Sequence, residues 1–142
     1  MQILSGKNQY PQLPTLTIDE AYTIWLHHKG TKKEVVMTPL CKALYILFYQ
    51  NPQGISLYDL HLHQSKLLEI YKHLSPHHNY ATMKVNIKRL VNKYDNSIHE
   101  KISRIKQVFL QLLPAEQAHF FYITGKRREV KSVGFRLKST TV

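Results

Sequence analysis

From residue 97 the chain carries a set of side chains suited to hydrogen bonding with a flat, polyanionic target. On a helical wheel at about 100° per residue, His99, Glu100, Ser103, Arg104, Lys106, Gln107 and Gln111 fall on one half, opposite Ile98, Ile102, Ile105, Phe109 and Leu112. Arg and Lys neutralise phosphates or pair with guanine edges, and Gln pairs with adenine. A helix start, here at Ser97, attracts a phosphate. The plainer alternative is the solvated face that any amphipathic helix has.

A second cationic group follows. Lys126, Arg127 and Arg128 lie in the link 125–129 between two β-favouring runs, with Lys131, Arg136 and Lys138 beyond it. On a loop tip such residues reach a phosphate backbone or a minor groove, and Lys84, Lys88, Arg89 and Lys101 add supporting phosphate contacts. The 142-residue chain carries a formal +11. Residues 84–142 hold 13 Lys+Arg against 4 Asp+Glu, a net of +9, whereas residues 1–83 hold 7 against 5, a net of +2. Charge segregated in this way points to a polyanionic partner, nucleic acid first.

Other chemistries find little support. None of the histidine pairs His27-His28, His77-His78 and His61-x-His63 itself stands at helical i, i+4 spacing beside a carboxylate, and the single Cys41 supplies no thiolate set for zinc or a disulfide. Gly6, Gly30, Gly54, Gly125 and Gly134 are scattered, so no phosphate-cradling loop is formed. The nine acids are dispersed, without a poised catalytic pair. No enzyme activity, metal or cofactor is expected. Phe121 and Tyr122 are candidates for stacking on exposed bases.

The elements that must position these residues read as an α+β fold in residues 21–142, a single domain after an irregular arm (1–20) marked by Pro11 and Pro14. Tyr22–His27 and Lys33–Met37 read as a hairpin turning at Gly30 and anchored by Trp25. Thr38-Pro39 reads as a hydroxyl cap before a helix, and Ser56–Asp59 as the capping-box-like start of a second with a Leu60, Leu67, Leu68, Tyr71, Leu74 stripe. A third helix is predicted from Tyr80 to Tyr94, with Tyr94 on its apolar face, and a fourth over 97–113 with a Ser97–Glu100 capping box. His119–Thr124 and Val130–Leu137 read as the strands of a closing hairpin. No apolar window approaches the roughly 18 residues of a membrane span, and no export signal opens the chain, so a cytoplasmic protein is expected.

Helices joined by a short turn and followed by a basic hairpin are the parts of a winged helix-turn-helix. Several stretches resemble the DNA-binding effector domain of bacterial two-component response regulators, without its receiver domain. Val35-Val36-Met37-Thr38-Pro39-Leu40 with Leu44 and Leu47 resembles that family's first-helix start, and Asn51–Ile55 its turn into the second helix. Ser97 with Ile102-Ser103-Arg104-Ile105-Lys106 resembles its recognition helix, and Val133–Leu137 its closing wing strand. Thr82–Leu90 resembles the recognition pattern as well, leaving two candidate readers; 97–113 is preferred because a wing follows the reader directly. The resemblance implies a bacterial transcription regulator that binds double-stranded DNA through helix 97–113 and a 125–129 wing. RNA polymerase or another regulator would be its protein partner, with a homodimer open to it and no membrane contact. An RNA-binding module using the same face, or an adaptor for an acidic protein partner, stays open.

Overall fold

The computed structural model describes residues 13–125 and 130–133. The chain divides into two compact units between Val36 and Met37.

In the first unit, β1 (Thr15–Ile18), β2 (Ile24–His28) and β3 (Thr31–Glu34) form an antiparallel meander in that order. His28 pairs with Thr31, leaving Lys29 and Gly30 as a two-residue loop with φ of 53° and 79°. Positive φ at both positions is what a type I′ hairpin turn requires. The expected hairpin is therefore present, though β1 was not anticipated: it lies where irregular chain was expected. Pro14 precedes this strand, and Leu16 is buried opposite Leu26. Asp19 organises the β1–β2 loop, its carboxylate accepting from the Ala21 and Thr23 amides (3.0 and 2.9 Å) and from the Trp25 indole (3.1 Å). Trp25 is only half-buried, with the Lys32 ammonium 4.2 Å from its ring centroid, so it clamps a loop rather than anchoring a core.

The second unit is built round α1 (Pro39–Tyr49), in which Cys41 and every residue from Ala43 to Phe48 are buried. A helix apolar on all sides is a central helix, not an amphipathic one. Pro39 opens it as predicted, but the Thr38 hydroxyl makes no capping bond; the Thr38 carbonyl accepts from the Lys42 amide (2.8 Å). The predicted second helix has two parts, a 3₁₀-helix (Leu57–His63) that buries only Leu60 and α2 (Gln64–Leu74) that buries Leu67, Ile70 and Tyr71. α3 (Tyr80–Val91) buries Met83, Ile87, Leu90 and Val91, its start capped by Asn79 Oδ1 accepting from the Thr82 amide (3.1 Å). It ends three residues before the predicted Tyr94, because Asn92 leaves the helix with ψ of 113°.

α4 (Ser97–Leu112) has 16 residues, about 24 Å of helix. Its predicted capping box is not formed: Asn96 stands at the cap, and Ser97 is the first helical residue, donating its amide to Asp95 Oδ1 (2.8 Å). After Pro114, the short α5 (Ala115–Ala118) continues into turns closed by Phe120 N–H to Gln117 O (3.2 Å) and Phe121 N–H to Ala118 O (2.9 Å). These turns replace most of the predicted 119–124 strand, leaving β4 (Ile123–Thr124) to pair with β5 (Ser132–Val133). The physical reason is tertiary. Phe121 is buried against Phe109 with centroids 5.9 Å apart, and its carbonyl accepts from the Tyr45 hydroxyl (2.8 Å), which overrides local β preference.

Ile55 and Lys131 exchange amide hydrogen bonds (2.8 and 3.0 Å), joining the chain after α1 to the segment that leads into β5. Gly54 permits this approach. Its φ is +90°, and a Cβ there would meet the Val130 side chain and, at 2.7 Å, the Lys131 carbonyl. Both the α+β class and the presence of a closing strand pair agree with expectation, although among the described residues five α-helices, a 3₁₀-helix and a three-stranded sheet stand where four helices and one further hairpin were expected. Gly54→Ala is expected to destabilise the fold by about 1–3 kcal/mol through backbone strain and the clash. Urea denaturation followed by circular dichroism measures this, and an unchanged midpoint would refute the role assigned to Gly54.

Candidate nucleic-acid interface

The geometry starts with the turn between α3 and α4. Asn92 Oδ1 accepts from the Tyr94 amide (2.9 Å), the Asn92 carbonyl accepts from the Asp95 amide (3.0 Å), and Asp95 Oδ2 accepts from Arg89 Nε (3.2 Å). With the Ser97 amide on its other oxygen, Asp95 links the end of α3 to the first turn of α4. The Ser97 amide first, and the Arg89 side chain second, hold the Asp95 carboxyl below the ordinary carboxylate range.

Behind this turn α4 is fixed by Ile98, Ile105 and Phe109, all buried. His99, Glu100, Ser103, Arg104, Lys106, Gln107 and Gln111 are all exposed, so the polar row lies on one side of an anchored helix. Ser97 is not part of that row, being only 6% exposed in the first turn beneath Asp95. Lys101 is half-buried, with its ammonium 4.0 Å from Glu100 Oε1.

Among the described residues, the carboxylates answer few of these cations. Lys66–Glu69, Arg89–Asp95 and Lys101–Glu100 are the ion pairs within 4 Å, which leaves Lys84, Lys88, Lys93, Arg104 and Lys106 without a carboxylate at that range. Arg89 is exposed but engaged by Asp95. Lys84 and Lys88 are exposed on α3. The Lys106 ammonium lies 5.4 Å from the Tyr122 ring centroid.

The hairpin residues Lys126, Arg127, Arg128, Arg136 and Lys138 lie outside the described residues, as do the last four residues of the Val133–Leu137 stretch. Lys131 is half-buried and donates from Nζ to the Gly125 carbonyl (2.9 Å), so it closes the base of the loop. The stacking role expected of Phe121 is corrected by its burial in the core; Tyr122 is half-buried.

His27 Nε2 bonds Thr17 Oγ1 (2.9 Å), while His61, His77 and His78 are exposed. Among the described residues no three His, Cys, Asp or Glu side chains converge as metal ligands. Cys41 is buried, its thiol directed to the Lys101 carbonyl at 4.0 Å. Among the same residues no helix is long and apolar enough to cross a membrane.

Sequence reasoning missed one cluster here. Tyr94 was expected on the buried face of α3 but is 87% exposed. Lys93 places its ammonium 5.4 Å from the Tyr94 ring centroid and 5.1 Å from that of Tyr58 on the 3₁₀-helix. The available signal was Asn92, a residue type that ends helices by bonding its own downstream amides. Comparison of the chain with protein-family models, curated proteins and solved structures gives no match.

Asp95 generates a pH prediction. Because its folded pKa is lowered from 3.8, its stabilisation is present above that value and is lost as pH falls through the folded pKa. Asp95→Asn is therefore expected to unfold more readily than the unmodified chain at neutral pH, with the gap closing below about pH 4. Denaturation midpoints across pH measure this, and a gap independent of pH would exclude the carboxylate as the cause.

Proposed function

We propose that the chain is a sequence-specific DNA-binding protein of winged-helix type, acting in transcription regulation, with α4 as its recognition helix. The observation that carries this reading is the exposed row on α4, from His99 to Gln111, backed by a buried stripe and containing Arg104 and Lys106 without carboxylate partners among the described residues. About 24 Å of helix is enough to follow a major groove some 12 Å wide. Arg104, Gln107 and Gln111 stand at i, i+3 and i+7 on the exposed side, in line to meet successive base edges.

Lys84 and Lys88 on α3 supply phosphate contacts that set register without reading sequence. The strand pair β4–β5 follows α4 after the short α5, and the basic segment 125–129 that it flanks would serve as the wing. Pairing of Ile55 with Lys131 supports this assignment, because it ties the base of that segment to the helical body.

Duplex DNA binding measured by fluorescence anisotropy tests the reading. Affinity is expected to fall with salt with a log-log slope on the order of −5. Arg104→Ala is expected to lower discrimination between preferred and unrelated duplexes by about 1–3 kcal/mol, whereas Lys88→Ala weakens all duplexes alike. Absence of duplex binding at low salt, or tighter binding to structured RNA, would overturn it.

A further inference from the structure

We infer a second nucleic-acid contact, distinct from the α4 row: Tyr58, Lys93 and Tyr94 form a stacking site for an unpaired base of single-stranded DNA. The two rings belong to different elements, the 3₁₀-helix and the α3–α4 turn, and Lys93 brings them together. With its ammonium 5.1 Å from one centroid and 5.4 Å from the other, the centroids are at most 10.5 Å apart.

Neither ring serves the core. Tyr94 is 87% and Tyr58 49% exposed, so both leave apolar ring faces in water that a partner could cover. Their backbones are held nonetheless. The Tyr58 amide donates to Ser56 Oγ (3.2 Å) and the Tyr94 amide to Asn92 Oδ1 (2.9 Å), and the Asp95 bonds to Arg89 and Ser97 brace the same turn. A ring presented from a braced turn loses less conformational freedom on binding than one on a mobile loop.

The chemistry of the occupant follows from the mixture. A nucleotide offers a flat π face beside a phosphate, matching an exposed ring beside an ammonium. Lys93 has no carboxylate within 4 Å among the described residues, and the nearby Asp95 is engaged by Arg89. An acidic protein segment would satisfy the ammonium but would leave the two ring faces without a flat partner.

The assignment to DNA rests on the proposed duplex reading; the stacking site itself does not. Its probe is a labelled oligothymidylate, with oligouridylate of equal length as the comparison and duplex DNA as the control. Tyr94→Ala is expected to weaken oligothymidylate binding by roughly five- to a hundredfold, the range for loss of one base–aromatic stack. Tyr94→Phe should retain affinity, since the ring and not the hydroxyl is used, and Tyr58→Ala should lose part of it. Equal affinity of Tyr94→Ala and the unmodified chain, or equal losses in Tyr94→Ala and Tyr94→Phe, would overturn the site. Preference for oligouridylate would overturn the assignment to DNA. Oligothymidylate binding that depends on Tyr94 in a chain that ignores duplexes would sustain the stacking site while removing the α4 reading.

Discussion

The placement of α4 on α1 depends first on three aromatic rings. Tyr45 on α1, Phe109 on α4 and Phe121 beyond α5 are all fully buried or nearly so, with centroids 5.4 and 5.9 Å apart along the series. The Tyr45 hydroxyl donates to the Phe121 carbonyl, so the cluster also satisfies a backbone acceptor beyond α5. Rings of this size dominate core energetics, and edge and face preferences make their contacts directional. One cluster therefore orients α4 on α1 and starts the chain toward β4. The polar row on α4 faces water because Phe109, Ile105 and Ile98 face the other way.

The charge distribution then acquires a structural meaning. Two acids of the second unit are engaged locally: Asp95 braces a turn with Arg89, and Glu69 pairs with Lys66 three residues earlier on the same helix. Under the proposed reading, the cations left on α3 and α4 would attract polyanions, an attraction that weakens with salt. In the first unit the cations have different uses, Lys32 covering Trp25 and Lys29 forming half of a tight turn.

Where reading the chain succeeded and failed has a common cause. Pro39 as a helix start, Gly30 and the isoleucine stripe of α4 were legible because each is a local constraint: a fixed φ, a positive φ and a 3.6-residue period. The 97–113 boundary was nearly right for the same reason. Tyr94 was misplaced since its spacing continues the apolar period of α3, and periodicity does not register that Asn92 has already ended the helix. The strand expected at His119–Thr124 failed similarly: its residues favour β structure, but Phe121 is more stable in the aromatic cluster than in a ladder. The capping box at Ser97 missed by one residue, because Asp95 reaches the same amide first.

Sequence alone determined the α+β composition, the segregation of net charge into residues 84–142 and the amphipathic polarity of α4, all of which follow from residue type and spacing. Tertiary structure decided which cations are engaged, that Phe121 is core rather than surface, that Ile55 meets Lys131, and that Tyr58, Lys93 and Tyr94 form one cluster. The division has a simple basis. Period and charge are properties of neighbours along the chain, whereas pairing and burial depend on groups dozens of residues apart that only a folded core brings together.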